Sequence, residues 1–237
     1  MRQDIHRDPD IRLEYMPHPG EHHPAFEEYC ECIYELHEDN VPVIQARIAE
    51  RLSVSRPSVS EMVKRMEAEG LLRTDGAVIS LTDAGLELAV SVVRKHRLAE
   101  RFLTDMLGLD WGSAHHEACK WEHIISDEVE VGLNRLLGNP STCQHGNPIP
   151  GANSGSVMAT TLENIAVGSR FTLVRIPEEV EERDGALEEL ESHQLFPGRE
   201  CTLASRNGDS VRITVHGATD QNVALSPYVS SRLLVTP

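Results

Sequence analysis

VIQARIAERLSVSRPSVSEMVKRMEAEG, residues 43–70, is the stretch on which the fold turns. Ala46, Ile48, Ala49 and Leu52 line one apolar helical face; Val59, Met62, Val63 and Met66 line a second, with a short polar turn between. Ser55 suits the N-cap of the second helix, Pro57 its first turn and Gly70 its end. The pair predicts a helix-turn-helix. LLRTDGAVISLT, residues 71–82, then predicts two short strands closing around Asp75-Gly76, which makes the unit a winged helix.

Upstream, AFEEYCECIYELHED (25–39) sets Phe26, Tyr29, Ile33 and Leu36 at helical spacing. Downstream, two longer helices are predicted over 84–107 and 113–137. The first has Val92, Leu103 and Met106 on its apolar side, the second Ile124, Val129 and Leu133, a pairing that suits dimerisation. A Pro/Gly/Asn/Ser-rich linker follows. Beyond it FTLVRI, ECTLAS, SVRITVHG and NVALSP alternate as the strands of a small β-barrel-like domain, with RDGALEELESHQL as a helix between the first two. The expected fold class is α+β and multidomain. Its parts are a flexible tail (1–24), a winged helix-turn-helix (25–83), a helical dimerisation domain (84–138), a linker (139–160) and the small β domain (161–237). His18, His22 and His23 of the tail have nothing that fixes their geometry.

The 237 residues carry 22 Lys and Arg against 38 Asp and Glu, a net charge of −16, so no global attraction to nucleic acid or anionic membrane is expected. The helix-turn-helix is the local exception: from Val41 to Arg73 six bases face four acids, a net of +2 where phosphate contacts are needed. No window approaches the ~18 unbroken apolar residues of a membrane span. The N-terminal stretch has neither the apolar core nor the cleavage site of an export signal, and five cysteines is an odd number, so a cytoplasmic protein with free thiols is expected. Glu178 to Glu191 holds eight acids and one base, and on patterning alone reads as a solvated face.

The chemistry concentrates at His115, Cys119, Glu122 and His123. On a helix the first three share one stripe, with His123 beside it. Imidazole, thiolate and carboxylate are donors for Fe(II), Mn(II), Co(II), Ni(II) or Zn(II). One stripe is too long to close on a single ion, so further donors are needed. His96 and Glu100 form an i, i+4 pair, and Glu28 and Glu31 an i, i+3 pair on the first helix. No HExxH, GxSxG, P-loop or GxGxxG is present. Cys30 and Cys32, two apart on a helix, diverge and read as core thiols, and Cys201 as strand packing.

ARIAERLSVSRPSVSEMVKRMEAEGL, RKHRLAERFLTDMLGLD, HHEACKWEHIISDEVE and HGNPIPG together resemble the diphtheria-toxin-repressor family of iron- and manganese-dependent transcriptional regulators, in its long form. The resemblance implies a winged helix, a helical dimerisation and metal-binding domain, and an SH3-like C-terminal domain. It implies two metal sites per protomer: a primary site at Glu28, Cys119, Glu122 and His123, with Glu31 as a further candidate, and an ancillary site at His96, Glu100, His115, Glu178 and Glu181. The family's iron branch has methionine where this chain has Glu28, and its manganese branch has an acid where this chain has Cys119. The set is a hybrid, with Cys119 favouring Fe(II) first and Mn(II) second. Cys143 and His145, in the linker motif, receive no metal role. For DNA the match implies Arg47, Ser55, Arg56, Pro57, Ser58, Ser60 and Arg65, largely phosphate contacts with weak base readout.

The implied function is a non-enzymatic, Fe(II)-loaded dimeric repressor of metal-homeostasis genes. Its partners are operator duplex and a second copy, with no membrane and no small organic substrate. A manganese-responsive regulator is the alternative of the same fold. An iron-trafficking or storage adaptor, or a metal-dependent hydrolase, is the alternative of another class; the local +2 on a winged helix disfavours both.

Overall fold

A computed structural model describes residues 24–153, 158–208, 210–218 and 222–237. The tail, with His18, His22 and His23, lies outside the described residues apart from Pro24. α1 (Pro24–Glu38) buries Phe26, Tyr29, Ile33 and Leu36, the predicted face. α2 (Gln45–Arg51) and α3 (Arg56–Ala68) form the helix-turn-helix, and β1 (Leu72–Asp75) and β2 (Val78–Leu81) pair antiparallel as the wing. The Ser55 hydroxyl accepts the Ser58 N–H at 3.2 Å and caps α3, with Pro57 in its first turn. Ile48, Val59, Val63, Met66, Leu71 and Ile79 close one core under α1, and Cys30 and Cys32 are packed into it.

α4 (Asp83–Asp105) starts against the wing: Thr82 accepts the Gly85 N–H and donates to the Gly70 carbonyl at 2.6 Å. A Cβ on Gly85 would fall 1.9 Å from the Leu71 carbonyl oxygen, so only glycine permits this approach. The single helix expected over 113–137 is two: α5 (Trp111–Trp121) and α6 (Asp127–Leu136). Ser126 causes the break. Its hydroxyl caps α6, and Asp127, Glu128 and Glu130 favour a new helix N-terminus there. The apolar faces also need correction: Leu133, Val92 and Leu103 are buried, but Met106, Ile124 and Val129 are exposed, as are Val131 and Leu136. Leu98, Ala99, Leu103, Ala114, Ala118 and Ile149 make a second core between α4, α5 and the linker.

The C-terminal domain is an all-antiparallel six-stranded sheet of the SH3-like kind, in the order β3 (Thr160–Thr161), β8 (Leu234–Thr236), β4 (Arg170–Arg175), β5 (Glu200–Asn207), β6 (Ser210–Val215), β7 (Asn222–Leu225). Two short helices, α7 (Glu178–Glu181) and α8 (Ala186–Ser192), follow β4, and a turn of helix (Pro227–Ser230) precedes β8. Cys201 packs in this core, as expected. Trp111, from the start of α5, belongs to the same core. The linker lies along β4: Gly146, at φ +87°, brings its Cα so close that a Cβ would meet the Val174 carbonyl at 2.1 Å.

Candidate metal centre

Five segments deliver the donors. α1 supplies Glu27, Glu28 and Glu31; α4 supplies His96 and Glu100, one turn apart; the end of α5 supplies His115, Cys119, Glu122 and His123; and the linker and α7 supply His145 and Glu181. Glu122, which caps the end of α5, keeps helical backbone angles, so the predicted stripe survives the helix break. His123 sits at the turn and faces α1: its Nδ1 is 2.6 Å from Glu27 Oε2, and its Nε2 is 3.1 Å from Glu28 Oε1 and 3.2 Å from Glu122 Oε1. The other oxygen of Glu122 lies 2.6 Å from His96 Nδ1. Glu31, His96 and Glu122 form one donor group, and Glu28, Glu122 and His123 another.

The cluster continues inward without a gap. Cys119 Sγ is 3.9 Å from His115 Nε2 and groups with His115 and His96. His115 Nδ1 is 3.1 Å from Glu100 Oε1 and 3.5 Å from Glu181 Oε2. His145, fully buried, sits 2.6 Å from Glu181 Oε2 and groups with Glu100 and Cys143. His96 and Glu100 are thus each shared between neighbouring groups, where the sequence reading has two separate sites.

Electrostatics shows what such a density of acids requires. Burial opposes charging His123, but hydrogen bonds with Glu27 and Glu28 outweigh it and push its pKa up to about 10. Burial likewise opposes charging His115, and its bonds to Cys119 and Glu100 push it up to about 12. Burial raises the Cys119 thiol, yet bonding to His115 and His96 brings it below the usual thiol range. Burial and the Glu122 carboxylate hold Glu31 well above the carboxylate range. Burial, with Glu178 and Glu100 beside it, does the same to Glu181. Protons here occupy positions that a cation would relieve.

The donor chemistry fits a divalent transition ion, with imidazole, thiolate and carboxylate oxygen converging from separate elements. Glu100 Oε2 and His145 Nε2 are buried and make no hydrogen bond. A cavity of about 90 Å³ opens beside Glu28, Glu31, His96, Cys119 and Glu122.

Glu28, Glu31, His96, Glu100, His115, Cys119, Glu122, His123 and Glu181 all lie in or beside this cluster. Glu178 instead turns to Arg97, with Oε1 3.1 Å from its Nε. The acidic run is only partly a solvated face, because Glu178 and Glu181 are buried. Three further side chains stand beside the predicted donors without being among them: Glu27, against His123, and Cys143 and His145, which group with Glu100. The alternation Cys143-Gln144-His145 is the signal the linker sequence offers for the last two.

On the winged helix, Arg47, Arg56, Pro57, Ser58 and Arg65 are exposed and Ser60 is half-buried. The Ser55 hydroxyl is already engaged, by the Ser58 N–H and the Ser58 hydroxyl at 2.8 Å. Arg47 pairs with Glu50, and Arg65 lies over the Phe26 ring at 5.5 Å.

A winged helix backed by a cluster of borderline donors defines a metal-responsive DNA-binding protein. The sequence model of the iron dependent repressor N-terminal DNA binding domain matches residues 23–77, and that of the iron dependent repressor metal binding and dimerisation domain matches residues 82–151. The iron-dependent repressor IdeR of Mycobacterium tuberculosis is 39% identical over 211 residues, covering 84% of this chain and 91% of the relative. The diphtheria toxin repressor of Corynebacterium diphtheriae is 41% identical over 192 residues, covering 77% and 85%. Among solved structures, a manganese-dependent transcriptional repressor in complex with manganese superposes with a TM-score of 0.79 at 27% identity, covering 89% of this chain and 99% of that one. IdeR of T. acidophilum gives 0.71 at 28%, covering 89% and 96%. The chain belongs to the iron-dependent repressor family. It is a metal-activated transcriptional repressor and not an enzyme, built from a DNA-binding domain and a dimerisation domain. No helix among the described residues is long and apolar enough to cross a membrane.

Proposed function

We propose that the chain is an Fe(II)-loaded dimeric repressor of metal-homeostasis genes, acting on operator duplex in the cytoplasm, with two metal sites per protomer. The observation that carries this reading is the junction of α1 with α5 at His123, where Glu27 and Glu28 from the DNA-reading unit meet a donor of the dimerisation unit. Glu28, Cys119, Glu122 and His123, with Glu31 beside them, would hold the primary ion. His96, Glu100, His115 and Glu181 would hold the ancillary one, with Glu178 held against Arg97 at its edge. Cys143 and His145 extend the ancillary donor set through Glu100. A bound divalent ion supplies fixed positive charge among carboxylates that otherwise repel.

α1 is also a wall of the winged-helix core, through Phe26, Tyr29, Ile33 and Leu36. Drawing Glu28 and Glu31 toward Glu122 and His123 therefore orients α3 relative to the dimer. Two recognition helices about 34 Å apart match successive major grooves of a palindrome. Arg47, Arg56 and Arg65 contact phosphates, while Ser58, Ser60 and Pro57 face base edges and Ser55 keeps α3 capped. Metal and DNA then favour each other reciprocally, by about 1–3 kcal/mol.

The Cys119 thiolate favours Fe(II) over Mn(II). One observation supports the manganese reading: Cys119 groups with His96 and His115, which leaves Glu28, Glu122 and His123 as an all-oxygen and nitrogen set. Anisotropy of a duplex carrying the chain's own promoter, titrated with anaerobic Fe(II), Mn(II) and Zn(II), tests both. Metal-dependent binding with Fe(II) as the tightest activator is expected. Metal-independent binding would overturn the reading.

A further inference from the structure

Among the described residues, the C-terminal domain and the winged helix share no apolar core. The cluster built on the six-stranded sheet contains no residue of α1 to β2, and the winged-helix cluster contains none from the sheet. Ion pairs join them instead. Arg51 of α2 lies 2.8 Å from Glu35 of α1 and, through Nε, 2.9 Å from Glu182, the residue after α7. Its side chain is only 4% exposed. Arg175 of β4 reaches the end of α1, with Nη2 2.7 Å from Glu38 and 2.7 Å from Asp39. Beside the Arg51–Glu182 pair runs an open cleft of about 610 Å³.

We infer that the C-terminal domain is fastened directly to the DNA-reading unit through Arg51–Glu182 and Arg175–Glu38/Asp39, and that these are positioning residues setting operator affinity. The placement within α7 is what makes the fastening consequential. Glu181 faces His115 and His145, and the next residue, Glu182, faces Arg51. One turn of helix therefore touches the donor cluster and the helix-turn-helix together. This gives the donor cluster a second route to α2, separate from the one through α1. The link to metal rests on the reading of Glu181 as an ancillary donor, whereas the fastening itself does not.

The test compares the full-length protein with Glu182→Gln and, separately, Arg175→Gln. Amide hydrogen exchange is followed with and without Mn(II), operator affinity at saturating Mn(II), and Mn(II) stoichiometry by equilibrium dialysis. Glu182 is 39% exposed, so its variant is expected to fold. Faster exchange in α2 and at the end of α1 is expected, with β5 and β6 unchanged. Operator affinity should fall about tenfold and metal stoichiometry should hold. Parent-like exchange in α2, or parent-like operator affinity, overturns the proposal. So does a loss of operator affinity that tracks a loss of bound Mn(II), since Glu182 would then act through Glu181. If the parent shows no operator binding stimulated by Mn(II) or by anaerobic Fe(II), the function proposed above fails, while the exchange of the metal-free proteins still decides the fastening.

Discussion

The Trp111 ring stands edge-on to the His145 imidazole, with 4.7 Å between centroids. Trp111 opens the helix that carries His115 and Cys119, yet it is buried in the core of the C-terminal domain, against Phe196 at 5.3 Å. Truncating it empties an aromatic-sized space. Trp111→Ala should destabilise the C-terminal domain by about 3–5 kcal/mol, read by urea unfolding followed by circular dichroism, and Trp111→Phe should retain more than half of that. A Trp111→Ala variant as stable as the parent would show that the ring is peripheral.

Cys119 is exposed yet sits against two imidazoles. Cys119→Ala should lose the metal-dependent gain in operator affinity, of roughly 5–150-fold, while sedimentation shows an unchanged dimer. Full stimulation by Fe(II) in that variant would remove Cys119 from the primary site.

His123, with its pKa pushed up to about 10, carries a proton at pH 7.5 in the metal-free protein. A nitrogen that binds metal must give its proton up, so metal uptake releases protons. Apparent affinity should rise with pH, about tenfold per unit for one proton. Calorimetry in two buffers of different ionisation enthalpy measures the release. The same shift has a sign for folding: the stability His123 lends the metal-free protein is fully present below pH ~6.5 and is lost as pH rises toward 10. Metal affinity independent of pH between 6.5 and 8.5 would be incompatible with this charge state.

Ile124, Val129 and Val131 leave apolar surface bare, Ile124 at 75% exposure. In a chain with a dimerisation domain such surface belongs against a second copy. Ile124→Glu with Val131→Glu should yield monomers by sedimentation, with the protomer's own fold intact because neither side chain enters its core. A persistent dimer would move the interface elsewhere.

The winged helix was legible residue by residue because its periodicity, its cap at Ser55 and its Asp75-Gly76 turn are all local signals. The break at Ser126 was not: Glu122 to Ile125 keep helical spacing on paper, and the competing cap on Val129 N–H, with the acidic first turn behind it, decides against continuity. Most of the donors were legible as i, i+4 and i, i+3 pairs. The role of Glu178 toward Arg97, and the arrival of His145 beside Glu181, depend on how the linker lies on β4, a contact between segments dozens of residues apart that no periodicity encodes.

Arg97 is wholly buried and holds Glu38 of α1 with two nitrogens, the Pro148 carbonyl of the linker and Glu178 of α7. Replacing Arg97 by a neutral side chain strands the buried Glu178 carboxylate without this countercharge. Three distant stretches of the chain are therefore obliged to drift together over generations. A descendant that sheds its C-terminal domain must first find a new neighbour, or a neutral substitute, for this one guanidinium.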